Sequence, residues 1–233
     1  MIIAGALGLG LIGATKAGEK AGEKAGEIDL LADGIGEGGW ELRTVSGKRE
    51  TSFQMTGDRT LQVRSESAVA FLYKQIDDVG EKLQWRWRVE EMGIPSDLTK
   101  VGADDRPLAV HLWFPTKSDS TSLFGGIADL LGYPEVGRSL TYVWGGSEDA
   151  PRRHDNPYMT DGRGAMIILR DRADVSSDWL EELIDYQEDY RQAFGDVAPR
   201  PTHIAISGDS DDLGGLRSGE IADLAFVPPM KSQ

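Results

Sequence analysis

The stretch LQWRWRVE, residues 83–90, alternates without a break: Leu83, Trp85, Trp87 and Val89 on one parity, Gln84, Arg86, Arg88 and Glu90 on the other. Successive side chains of a strand point to opposite faces, so one face carries two indoles and the other two guanidinium groups. A sheet with such an apolar face has to bury it against a second layer. Each Trp hides 150–250 Å², worth about 4–6 kcal/mol as an upper bound. That assigns Trp85 and Trp87 to the space between two layers. Arg86 and Arg88 then face outward, where they either pair with carboxylates or hold a hydroxyl-rich or anionic ligand through their fork of donors.

The rest of the chain carries the punctuation of a β-protein. Period-two or continuous apolar runs occur at 41–45, 52–55, 61–64, 69–73, 108–114, 140–144, 165–169, 203–207 and 221–227, separated by turn signals such as TGD at 56–58 and GGSED at 145–149. Strands without regular helices between them imply antiparallel pairing and two packed sheets. Two segments break the pattern. Ser122–Leu131 places Leu123, Phe124, Ile127, Leu130 and Leu131 at helical spacing ahead of Pro134. In 179–194, Leu183, Tyr190 and Phe194 fall at helical steps, and Asp178 with Glu181 offers a capping box. The start of that segment also alternates, so a strand turning into a helix near Asp185 fits equally.

Organisation outside the strands is simple. An apolar run from Ile2 to Ala14 has the length of a signal-peptide core and falls short of the roughly 20 residues that span a bilayer. No basic residue precedes it; the reading is an export signal over 1–17, the alternative a buried or fraying apolar N-terminus. Residues 17–27 repeat AGEK, so 18–39 reads as a flexible spacer and 40–229 as one folded domain. The chain has no cysteine, which excludes disulfides and thiolate chemistry. Its net charge of −14 repels nucleic acid and anionic lipid.

Candidate chemistry lies in four places. In GADDRPLAVHLWFP, 102–115, Asp104 and Asp105 precede a strand whose alternation sets His111 and Trp113 on the face away from the core, an imidazole and an indole two residues apart. In LTYVWGG, 140–146, Tyr142 and Trp144 share a side. The loop PRRHDNPYMTDGRG, 151–164, supplies Arg153, His154, Asn156 and Tyr158, with an imidazole suited to proton transfer. In SGDSDDLGG, 207–215, Asp209, Asp211 and Asp212 cluster as Ca²⁺ ligands do, without EF-hand spacing; such aspartates also simply build turns. Motifs for serine hydrolases, zincins, phosphate loops and dinucleotide binding are absent from the sequence.

The ordered run LQWRWRVE, GADDRPLAVHLWFP, LTYVWGG, NPY, IAISGDSDD and IADLAF resembles DUF3047, a bacterial domain family of unknown function, from about Trp40 to Val227. The resemblance implies an exported domain of jelly-roll, galactose-binding-like kind, and it favours a strand at 179–184 followed by a short helix. Where the family carries a Thr-rich stretch, this chain has Gly208 and Leu213 in the flanking places. It supplies no catalytic residues.

The expectation is therefore an all-β, antiparallel jelly-roll sandwich with one or two short helices. Its expected role is a periplasmic or cell-envelope binding module for glycans or similar polyhydroxylated ligands. The ligand contacts would be Arg86, Arg88, Asp104, Asp105, His111, Trp113, Tyr142, Trp144, Arg153, His154, Asn156 and Tyr158, with Ca²⁺ at 207–215. The alternatives are a glycan lyase or hydrolase drawing on His154, His111, Asp105 and Tyr142, and a structural envelope domain without a small ligand. Nucleic acid and a stable membrane span are not expected.

Overall fold

A computed structural model describes residues 27–77, 79–115, 136–159 and 161–228. The expected export signal, the spacer up to residue 26 and the expected helix Ser122–Leu131 lie outside these residues. Thirteen strands are described. They are β1 Ile28–Asp29, β2 Glu41–Thr44, β3 Ser52–Gly57, β4 Thr60–Glu66, β5 Val69–Gln75, β6 Lys82–Glu91, β7 Arg106–Phe114, β8 Arg138–Trp144, β9 Arg153–Asp155, β10 Gly164–Arg170, β11 Leu180–Ile184, β12 His203–Asp209 and β13 Leu216–Val227. They form two sheets. Sheet A runs β11-β6-β13-β4-β3, with β1 also on β13; sheet B runs β2-β5-β12-β7-β8-β10-β9.

Within these, β4-β13-β6-β11 stacks on β5-β12-β7-β8. The chain swaps sheets at β4→β5→β6→β7, stays in sheet B from β7 to β10, and swaps again at β10→β11→β12→β13. That wrapping is the jelly roll of the sequence reading. One pair departs from the antiparallel expectation: β10 lies parallel to β8. A parallel neighbour needs a connection of a dozen or more residues, and 145–163 provides it, with β9 returning antiparallel against the outer side of β10.

The alternation in β6 resolves as expected. Leu83, Trp85, Trp87 and Val89 are buried between the sheets. Trp85 meets Tyr142 at 5.8 Å and Trp87 meets Trp144 at 5.5 Å, ring centre to ring centre. The sheets close so tightly at two points that only glycine fits. A Cβ on Gly208 would sit 2.7 Å from Ser65 Oγ, and one on Gly219 2.7 Å from a Leu108 methyl carbon. The spacer reading fails from Ile28 on, because β1 pairs with β13 and Leu30 and Leu31 enter the core.

Helix α1, Tyr186–Phe194, follows β11 directly. Its N-cap is Asp185, whose carboxylate accepts from Glu188 N–H, and it stops at Gly195 in the left-handed region. Asp178 caps nothing there; its position precedes a strand. Tyr190 packs on Phe114 at 4.7 Å and fixes the helix to the sandwich.

The two sheets differ on their outer faces. Strand β7 is buried at all nine positions. Leu98, from the segment ahead of it, closes over Ala109, Val143, Met166 and Ile168, while Tyr73, Trp113 and Ala205 form a further apolar cluster. Sheet A keeps its outer face polar and open: Ser52, Gln54, Thr56, Arg64 and Glu66 are exposed, and Gln62, Gln84, Arg86 and Arg88 are half-buried.

Candidate functional site

The residues singled out in the sequence do not meet in one place. Tyr142 and Trp144 are interior, with no exposed surface. Strand register is the reason: Tyr142 lies opposite Val110 and Trp144 opposite Leu108, both inward-facing, whereas His111 lies opposite Thr141. His111 and Trp113 are on the outer face of sheet B as expected, but they are buried rather than exposed. His111 Nδ1 is 3.1 Å from Thr141 Oγ1 and Nε2 is 2.9 Å from Ser207 Oγ. Burial, then the charge of Arg106, holds this imidazole well below its ordinary pKa, so it is neutral. His154 stands on the edge strand β9 with Nδ1 3.0 Å from the Asp155 carbonyl. Asn156 accepts from Tyr158 N–H within a turn. Arg153 pairs with Asp189, which also accepts from the Tyr142 hydroxyl at 3.1 Å. No hydrogen bond among the described residues joins any two of His154, His111, Asp105 and Tyr142, so they form no catalytic pair.

The aspartates do converge, at the end of the sandwich where β7 begins, β12 ends and β13 starts. Asp104 accepts from Arg106 Nη1 at 2.9 Å and from the Tyr158 hydroxyl at 2.8 Å. Asp105 accepts from the backbone N–H of Asp212 and Leu213 and lies 3.4 Å from Arg217 Nη2. Arg217 also donates to the Met92 and Ile94 carbonyls. Asp209 faces Arg106 at 3.3 Å, and Lys48 pairs with Asp211. Burial pushes the Asp209 carboxyl up to about 8, against the pull of Arg106, while a shared hydrogen bond with Asp209 and the Lys48 ammonium hold Asp211 low despite its own burial.

One oxygen each of Asp105, Asp209 and Asp211 lies within 4.8 Å of the others. The carboxylates drawn together are thus not the expected set: Asp105 takes the place of Asp212, which contributes its backbone N–H and a carboxylate 3.9 Å from Lys48. The donor set does not fit Ca²⁺, which takes six to eight oxygens. Here three side-chain cations and three backbone N–H groups already engage the carboxylates. The cluster is an ionic staple holding loop 210–215 to the start of β7.

The open face of sheet A is organised differently. Direct cross-strand partners run Gln54↔Gln62, Gln62↔Glu220 and Glu220↔Arg88. Four planar polar side chains therefore form one straight row across β3, β4, β13 and β6. The row ends at Trp179, which precedes β11; Leu180 pairs with Trp87, so Trp179 comes level with Arg88. The Arg88 guanidinium carbon is 4.7 Å and that of Arg86 4.8 Å from the Trp179 ring centre. Arg88 donates through Nε and Nη2 to Glu220, whose second oxygen accepts from Thr56 Oγ1 at 2.9 Å. A bulge in β13 puts Asp223 at φ +53 and lifts its carboxylate to within 2.6 Å of Arg86 Nε. Beside Arg88 a recess of about 320 Å³ is lined by Val89, Glu90, Val175, Ser176 and Ser177.

Arg86 and Arg88 were legible in the sequence; Gln54, Gln62, Glu220 and Trp179 were missed. The amides sit at alternate positions opposite Phe53, Met55, Leu61 and Val63, a signal present in the sequence. Glu220 and Trp179 had none, since only register places them.

The DUF3047 profile, described as a protein of unknown function, matches residues 38–225. The chain belongs to the DUF3047 family. No curated protein matches this DUF3047 chain. Among solved structures it is similar to the xyloglucanase domain of NopAA, a type three effector from Sinorhizobium fredii solved with cellobiose. That pair shares 10% identity at a TM-score of 0.41, over 80% of this chain and 92% of the other. It is also similar to a meso-active, thermostable derivative of the Cel12A cellulase of Rhodothermus marinus, at 13% identity and a TM-score of 0.43, over 85% and 96% of the two chains. The K2 cleaved adhesin domain of Lys-gingipain matches at 14% identity and a TM-score of 0.31, over 92% and 94%. The fold assignment rests on the strand order given above. No described helix is long and apolar enough to cross a membrane.

Proposed function

We propose that this DUF3047 domain is a binding module for glycans or similar polyhydroxylated ligands, and that the outer face of sheet A receives them. The observation that carries this reading is the row Gln54–Gln62–Glu220–Arg88 ending at Trp179. Hydroxyl groups donate and accept, and so do the amides of Gln54 and Gln62, while the Arg88 guanidinium supplies donors; Glu220 is buried in the row and fixes Arg88. Strand pairing fixes the backbone spacing of the row, so binding orders side chains but no backbone. A glycan-cleaving role lacks comparable support, because the candidate proton-transfer groups lie on separate elements, three of the four of them buried.

The apolar run Ile2–Ala14 and the AGEK repeats support a periplasmic or cell-envelope setting. Fusing residues 1–27 to a reporter that is active only after export tests that placement. For binding, titration calorimetry of the full chain against neutral and acidic polysaccharides is expected to give binding to a neutral one, with Trp179→Ala weakening it about tenfold or more. Binding to none of them overturns the proposal.

A further inference from the structure

We infer that the ligand of this face is an extended, uncharged oligosaccharide lying across the strands, from the recess beside Arg88 and Trp179 toward Gln54, rather than a single sugar or an acidic polymer. The inference rests on the binding role proposed above and adds length, direction and charge to it.

Length and direction come from the register. Gln54, Gln62, Glu220 and Arg88 are successive direct partners on four adjacent strands, and Trp179 continues the line at the fifth. Four strand spacings of about 4.8 Å make a row on the order of 19 Å. Glu220 is buried within the row; a monosaccharide would touch one or two of the others, and only an oligomer reaches from Trp179 to Gln54. The two ends also differ. At the β11 end, the recess of about 320 Å³ is at the lower limit of small-ligand pockets, fit to hold one terminal unit. At the β3 end the surface is open and Gln54 is exposed.

Charge comes from the ion pairs. Each described arginine of this face is already matched: Arg59 by Asp29, Arg64 by Glu66, Arg86 by Asp223 and Arg88 by Glu220. An anionic ligand would have to displace a carboxylate from its partner, and would approach a protein of net charge −14. A neutral ligand uses the free donor and acceptor positions and leaves the pairs intact.

The test titrates the full chain with neutral β-linked glucose, xylose, mannose and galactose oligomers from monosaccharide to hexasaccharide, and with oligogalacturonate of matched length. The dissociation constant is expected to fall at least tenfold from monosaccharide to hexasaccharide, and oligogalacturonate to bind at least tenfold more weakly than the best neutral oligomer. Gln54→Ala should weaken the hexasaccharide several-fold and leave the disaccharide unchanged. Affinity independent of length, or tighter binding of oligogalacturonate, overturns this inference while the binding role stands. Failure of every saccharide to bind overturns both.

Discussion

Arginine–carboxylate pairs occur in two regions of this molecule and do opposite work. At the loop end, Asp105 and Arg217 have 0% and 1% of their side chains exposed. On the outer face of sheet A, the Arg86 and Asp223 side chains are 40% and 36% exposed. The first pair is sealed among backbone N–H and carbonyl groups that need its charges. The second is solvated. A sealed pair holds a fold and a wet one presents it, so the chemistry of the residues does not assign their role; desolvation does.

The largest effect should come from breaking the sealed pair. Asp105→Ala leaves Arg217 buried without its counter-charge and frees two backbone N–H groups, and should cost about 3–5 kcal/mol by urea denaturation. A cycle with Arg217→Met should be non-additive by about 0.5–3 kcal/mol. A loss below about 1 kcal/mol would mean that the staple is no staple.

How far the sequence reveals this contrast depends on burial symmetry. Strand β6 is buried on one side only, so its period assigned Trp85, Trp87, Arg86 and Arg88 to the right faces. Strands β7 and β8 are buried on both sides, and alternation there sorts residues into two faces without saying which is wet. His111 and Trp113 were placed on the correct side and given the wrong exposure. Tyr142 and Trp144 were given a shared side, but only the pairing with Val110 and Leu108 reveals that it is the interior. The aspartate cluster was legible at 207–212 as a group of carboxylates. That Asp105 joins it, a hundred residues earlier in the chain, is tertiary information.

The next effect down is a pH dependence at the same staple. Burial raises the Asp209 carboxyl to about 8, so the native state binds this proton more tightly than the unfolded chain does. The resulting stability is fully present below the ordinary carboxylate range, declines as pH rises, and is gone above about pH 8. Asp211, held low beside Lys48, acts in the other direction: its contribution is present above the ordinary carboxylate range and is lost in acid. Asp104, Asp105 and Arg106 face the same space. Thermal unfolding of wild type should therefore occur at lower temperature near pH 9 than near pH 6. Asp209→Asn, neutral at every pH, should flatten that slope. An unchanged slope in the variant would assign the proton to another group.

The smallest expected stability change is on the open face, and it separates the two regions most cleanly. Trp179→Ala removes an indole that touches two guanidinium groups at the surface and lies outside the apolar cluster between the sheets. Its cation–π contacts are worth about 0.5–1 kcal/mol at such a site. For a domain of this size that is about 1–4 °C in unfolding temperature. The same substitution should weaken glycan binding about tenfold or more, because it removes one end of the row and loosens both arginines. A residue that mattered only to the fold would give the reverse: a large fall in unfolding temperature with affinity intact. Measuring both quantities on this one variant decides whether the solvated arginines and their indole serve recognition, or whether the sheet merely leaves them outside.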